Sequence, residues 1–200
     1  MSKTYMETWL GNAVDLLNPH PASIDIEDIA HHLSLTNRFT GAIRCPYSVA
    51  QHSLYVSMML SGPDQLHGLL HDAHEAYLGD ISTPLKNASD RQWLNILSRN
   101  LDSVIYERLD LDLPDAETRL RIKRADMQAM ADEKAFLKPN STSDWREYGL
   151  PPPAGDITVA LDWWEAKQAF LERFWRLYER TPRIQKDTGR DVGIALPESE

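Results

Sequence analysis

From Ser48 to Leu137 the apolar residues recur at helical spacing, and residues that start and stop helices punctuate the pattern. Ser48 and Gln51 stand at capping-box spacing, and Val49, Val56, Met59 and Leu60 supply an apolar stripe ending before Gly62. Asp64 opens a second predicted helix through Leu66, Leu69, Leu70 and Ala73 to Gly79, a natural C-terminal stop. A loop with Pro84 follows. Asp90 opens a third helix carrying Trp93, Leu94, Leu97, Leu101, Val104 and Ile105, and Pro114 a fourth that continues to about Leu137. With no βα alternation, the pattern specifies an all-α fold, a single helical bundle.

The flanking segments are shorter. Thr8-Trp9-Leu10 and Ala13-Val14-Asp15 flank Gly11-Asn12, a two-residue hairpin signal, so a short N-terminal β-hairpin is expected. Asp25 is placed to cap a helix from Ile26 to Leu33, and residues 37–45, with Gly41 inside, read as loop. Lys138 to Gly155 contains Pro139 and Pro151-Pro152-Pro153 and reads as a connector. The last predicted helix runs from about Val159 to Arg180, burying Leu161, Trp164, Phe170, Leu171, Phe174 and Leu177. Residues 1–180 are therefore the expected domain, and 181–200 a polar, mobile tail.

Two hundred residues can bury one core without covalent help, and the lone Cys45 cannot form an internal disulfide, which points to a reducing cytoplasm. No stretch approaches the roughly 18 consecutive apolar residues of a membrane span, and the first residues lack the apolar core of a signal peptide. The net charge of −9 argues against a nucleic-acid polymer as partner. A small phosphate ester remains compatible, because bound metal ions and a few placed cations reverse the field locally.

His71, Asp72, His74 and Glu75 gather titratable groups within one helical segment. Positions three and four apart share a face, so Asp72 projects with Glu75, and His71 with Glu75. Adjacent His71 and Asp72 differ by about 100° and converge only if the helix turns an edge to the ion. Imidazole nitrogens with carboxylate oxygens suit Mn, Fe, Co or Zn better than Ca. An arbitrary His-Asp pair is usually a solvated helix face, but three features favour a site here. The pair follows Leu69-Leu70; a capped helix offers His52; and another offers Asp126 between small and apolar neighbours. His31-His32 reads as a helix with one buried, hydrogen-bonded histidine, and His67 as packing. Cys45 has no base beside it. Trp163, Trp164, Phe174 and Trp175 read as core or subunit contact, so a homo-oligomer is expected.

Five ordered segments carry a resemblance: Arg38-Phe39-Thr40-Gly41, Tyr47-Ser48-Val49-Ala50-Gln51-His52-Ser53, His71-Asp72-Ala73-His74-Glu75-Ala76-Tyr77, Gly79-Asp80-Ile81 and Pro84-Leu85-Lys86. Over roughly residues 8–137 the chain resembles the HD-domain phosphohydrolases, in the branch of bacterial 5′-deoxynucleotidases and the phage enzymes that hydrolyse dATP. The resemblance implies His52, His71, Asp72 and Asp126 as ligands of a divalent metal (Zn, Co or Mn, with Mg accompanying the substrate phosphates). Asp132, Glu133 or another acid on the Asp126 helix is an alternative fourth ligand. It implies Glu75 as the acid that activates water, and Arg38 and Lys86 as phosphate-holding cations. Phe39, Gly41 and Pro84 would flank the base, Asp80 the sugar, and His74 a phosphate. A deoxynucleotide is the implied substrate. Triphosphate hydrolysis of the dATP type is the leading expectation, with a monophosphate 5′-deoxynucleotidase as the alternative. An inactive nucleotide-binding protein is an expectation of another class, which the filled ligand and acid positions disfavour.

Overall fold

The computed structural model describes residues 4–144, 146, 149–155 and 157–181; apart from Thr181, the predicted tail lies outside them. Two strands, β1 (Tyr5–Glu7) and β2 (Ala13–Asp15), precede eight helices among the described residues. These are α1 (Ile26–Leu35), α2 (Val49–Met59), α3 (Asp64–Leu70), α4 (Glu75–Leu78), α5 (Thr83–Ala88), α6 (Arg91–Arg108), α7 (Ala116–Leu137) and α8 (Trp163–Tyr178). The fold is the expected helical bundle with an N-terminal hairpin, and no helix among the described residues is long and apolar enough to cross a membrane.

The helices begin where acids can accept orphan backbone N–H groups. Asp25, Asp90 and Asp115 cap α1, α6 and α7, and Asp162 and Glu165 form a reciprocal capping box on α8. At α2 the box is only half made. Ser48 Oγ accepts from the Gln51 backbone N–H at 3.2 Å, but the Gln51 side chain donates to Val159 O at 2.8 Å and accepts from Leu161 N–H at 2.9 Å. Gln51 thus ties the lead-in of α8 to α2, and α8 starts at Trp163 rather than Val159.

Helix α2 is the axis of the bundle, packed against α1, α3, α7 and α8. The main core joins Leu69 and Leu70 of α3, Leu101 and Ile105 of α6, and Phe170 and Phe174 of α8. A smaller cluster sets Val56 of α2 against Ile122, Ala125 and Ala129 of α7. Each of the larger side chains, Val, Leu, Ile or Phe, contributes about 1.5–3 kcal/mol by leaving water. Because α2 is buried on several sides, a polar group on it must find partners inside the protein. His52 is fully buried there.

Several expectations are corrected. The hairpin pairs Tyr5–Glu7 with Ala13–Asp15, so its loop is Thr8–Asn12, closed by Thr8 N–H donating to Asn12 O, with Gly11 at φ +83°. The Pro84 segment is helical, with Ser82 as N-cap and Pro84 in the first turn of α5, where its missing N–H is not needed. Trp164, expected inside, is 52% exposed, because α8 turns Ala166, Phe170, Phe174 and Leu177 inward instead. The helix expected over Asp64–Gly79 breaks into α3 and α4 around His71–His74.

The proline-rich connector is pinned by Asp132. This buried carboxylate accepts from Tyr55 OH (2.9 Å), Gln128 Nε2 (3.1 Å) and the N–H groups of Ala154 (2.7 Å) and Gly155 (3.1 Å). A Cβ on Gly155 would lie 1.9 Å from Tyr55 OH and 2.8 Å from Asp132 Oδ2. Gly155→Ala is therefore expected to lower stability by about 1–3 kcal/mol in urea unfolding, the usual range for overpacking. Tyr55→Phe, which removes the nearest atom, should make the same glycine substitution less damaging.

Candidate metal centre

The break between α3 and α4 shapes the site. Ala73 N–H donates to Leu70 O, Glu75 N–H to Asp72 O and Ala76 N–H to Ala73 O, all at i to i+3 spacing. This tightened winding separates successive side chains by nearer 120° than 100°, which re-aims His71 and Asp72 relative to a regular α-helix. The His71 ring is held from behind, Nδ1–H donating to Gly68 O at 2.8 Å. Its Nε2 lies 3.1 Å from Asp72 Oδ2.

His52 faces the pair from α2, its ring centroid 5.2 Å from that of His71. Its Nδ1–H donates to Glu133 Oε1 at 2.6 Å, and its Nε2 points between Asp72 Oδ2 (3.6 Å) and Asp126 Oδ1 (3.3 Å). The Nε2 atoms of both His52 and His71 are buried and make no well-formed hydrogen bond. One donor atom each from His52, His71 and Asp72 lies within 4.8 Å of the others, so the three could hold a metal ion. The fit to a divalent cation rests on those two nitrogens, which face the Asp72 and Asp126 carboxylates at 3.1–3.6 Å in poor hydrogen-bond geometry and which a cation between them would satisfy. Asp126 adds an oxygen beside His52, while its other oxygen is held by the exposed Lys123 at 2.7 Å.

The electrostatics agree. Burial and Arg38 push His52 down, but Glu133 and Asp126 outweigh them and raise it to about 9. Burial would raise Asp72, yet His71, His52 and His74 hold it well below the usual carboxylate range. Burial likewise opposes ionisation of Asp126, and His52 overcomes it. The acids that keep a proton on His52 would equally hold a dication at its Nε2, with release of that proton.

Glu133 was legible in the sequence only as an alternative ligand. It stands behind His52 and is clamped by Arg38, whose Nε and Nη2 donate to Glu133 Oε2 at 3.2 and 2.9 Å. Arg38 is buried, and its nitrogens facing Glu133 are committed to that carboxylate rather than open to a ligand. Asp132, the other alternative, serves the connector as described above. Asp102 of α6 was missed altogether: it accepts from His74 Nδ1–H at 3.0 Å. Such carboxylates fix the imidazole tautomer and leave Nε2 for a ligand.

Around this centre, Glu75 is buried, with Oε1 3.7 Å from Lys86 Nζ and Oε2 without a partner. Asp80 acts electrostatically on both Glu75 and Arg38. The Arg38 guanidinium lies 5.3 Å from the Phe39 ring centroid, and Lys138, not foreseen from the sequence, lies 5.5 Å from that centroid. Phe39 and Thr40 both have left-handed backbones (φ +55° and +54°), followed by Gly41 at +75°. Two non-glycine residues there store about 1–3 kcal/mol of strain each. Gly41 and Pro84 are exposed at the ends of their turns. His32, by contrast, spends both nitrogens, donating from Nδ1 to Ala76 O and accepting Trp9 N–H at Nε2. His67 stacks on Tyr106, as packing predicts.

Burial, then Asp72 and Asp80, push Glu75 up to about 8. A carboxyl whose folded pKa is raised destabilises the fold as pH climbs from its unfolded value toward the folded one. Metal-free protein should therefore lose stability between about pH 4.5 and 8, and Glu75→Gln should lose less over the same window, as read by thermal melts across pH.

No protein-family model matches the chain. It is 33% identical over 165 residues to the uncharacterized protein RCAP_rcc00048 of Rhodobacter capsulatus, covering 76% of this chain and 83% of that one. It is 34% identical over 157 residues to the uncharacterized protein YfdR of Escherichia coli (strain K12), covering 78% of this chain and 85% of YfdR.

Proposed function

This chain belongs to the family of YfdR and RCAP_rcc00048, and we propose that it is a divalent-metal-dependent phosphohydrolase of the HD-domain type acting on deoxynucleotides in the cytoplasm. Deoxynucleoside triphosphates of the dATP kind are the proposed substrate. The observation that carries the reading is the pair of buried Nε2 atoms without a well-formed hydrogen bond, His71 facing Asp72 and His52 facing Asp72 and Asp126. His52, His71, Asp72 and Asp126 would hold the ion, for which Zn, Co or Mn suits the mixed nitrogen and oxygen donors. When bound, such an ion lowers the pKa of a water and offsets phosphoryl charge.

The remaining work falls to this chain's own side chains. Glu75 accepts the proton of the attacking water, and Lys86 beside it steadies the carboxylate and meets a phosphate oxygen. Arg38, with Nε and Nη2 on Glu133, offers its remaining N–H groups to phosphate. Asp80 lies toward the sugar, and Phe39, Gly41 and Pro84 flank the base. Self-association would use the exposed aromatic face of Trp9, Trp163 and Trp164 around His31.

The test is a panel of dNTPs, dNMPs and rNTPs with metal-reconstituted protein and products resolved by chromatography. Free triphosphate, or phosphate released stepwise from dNTPs, is the expected result. Activity confined to monophosphates would replace this reading with a 5′-deoxynucleotidase, and nucleotide binding without turnover would remove the enzyme altogether.

A further inference from the structure

We infer that the open groove between α2 and α7 is a binding site for a small aromatic monoanion, an aromatic carboxylate above all. None of the residues lining it is a proposed metal ligand, and the inference does not rest on the phosphohydrolase reading. The groove holds about 630 Å³, within the roughly 300–1,000 Å³ of small-molecule sites. Tyr55, Met59 and Leu60 supply its apolar surface from the α2 side, and Ala125 and Gln128 line it from α7. The first three pack against the small cluster around Val56 and Ile122 but are only partly buried by it.

Three of the four charged side chains on the groove are spent within the protein. Asp132 takes donors from Tyr55, Gln128, Ala154 and Gly155. Asp64 accepts from Arg121 and Thr118, and Arg121 also pairs with Glu117 at 2.9 Å. Arg124 differs: it is exposed and makes no hydrogen bond or ion pair among the described residues. A guanidinium without a counter-ion therefore stands beside an unfinished apolar wall.

That combination selects the ligand. Asp64 and Asp132 are already satisfied, so the groove has no call for a cation. The same two acids and the chain's net charge of −9 oppose a polyanion, which excludes a nucleoside triphosphate. One planar guanidinium matches one carboxylate as a bidentate fork. An aromatic body suits the wall, because a methionine sulfur and a tyrosine ring both gain from contact with another ring.

The test titrates the full chain, labelled with carbon-13 at its methionine methyls, with 2-naphthoate and with its neutral isostere 2-naphthamide, following the methyl signals by NMR. The expected result is a saturable shift of the Met59 methyl, while Met58, 62% exposed and not part of the groove, moves little. The carboxylate should bind about tenfold more tightly than the amide. Arg124→Gln, at an exposed position, should bring the carboxylate down to the level of the amide and leave the amide unchanged. The shift should also persist after the metal is removed by dialysis against chelator. No saturable shift at Met59, equal affinity for the two probes, or indifference to Arg124→Gln would overturn the site. A shift that vanishes with the metal would place the ligand at the metal centre and overturn it equally.

Discussion

Asp72→Asn is expected to abolish metal retention and phosphate release together. Asp72 Oδ2 lies 3.1 Å from His71 Nε2 and 3.6 Å from His52 Nε2, so it is the anion between the two imidazoles. Asparagine has nearly the same shape, which keeps the packing, but it is neutral and turns an N–H₂ donor toward cationic surroundings. Losing only an outer-shell partner of a ligand costs about 10–100-fold in metal affinity or activity. Removing the shared anion should exceed the top of that range. Metal content after gel filtration and initial rates of phosphate release check both halves. A variant that keeps its metal and loses turnover would make Asp72 a substrate contact instead of a ligand.

The second large effect concerns stability. The Arg38–Glu133 pair is buried at both ends, with side-chain exposures of 8% and 0%. Burial alone would depress the Arg38 pKa, but Glu133, joined by Asp72, Asp80 and Asp126, holds it above the ordinary guanidinium value. Arg38→Met leaves Glu133 to His52 and Tyr47 and strips it of its guanidinium partner in the interior, and should lower unfolding free energy by about 3–5 kcal/mol, the usual loss on breaking a buried pair. Glu133→Gln should cost a similar amount by stranding Arg38, and should also weaken metal binding, because the acceptor behind His52 loses its charge and shares its one oxygen between His52 and Arg38. Combining Arg38→Met with Glu133→Gln should restore part of the stability, since neither charge is then left alone. Additive losses in the double variant would mean the two residues act separately. Urea denaturation of the metal-free proteins separates this structural role from any grip on phosphate.

The helices were legible because their signals are local. Asp25, Asp90 and Asp115 announce helix starts, and Leu97, Leu101 and Ile105 recur on one face. The break at His71–His74 was not legible, because a change from i+4 to i+3 hydrogen bonding alters no residue type. Trp164 misled because an aromatic at helical spacing reads as core whether or not a partner helix covers it. In the site, His52, His71 and Asp72 stood out as residue types that are costly to bury and sit beside apolar runs. The carboxylates behind them did not. Glu133 meets His52 across 81 positions of sequence and Asp102 meets His74 across 28, and only the fold brings them together. A signal for Glu133 was available: it follows Asp126 by seven residues, two helical turns, with small Ala129 on the same buried side of α7.

The most direct test of the metal centre is a cobalt anomalous difference map from crystals grown with Co²⁺, collected on both sides of the metal's absorption edge. The expected map has a peak within bonding distance of Nε2 on His52 and on His71 and of carboxylate oxygens from Asp72 and Asp126. A fully substituted crystal with no peak there, or with its peak at another histidine such as His20 or His31, would contradict the assignment.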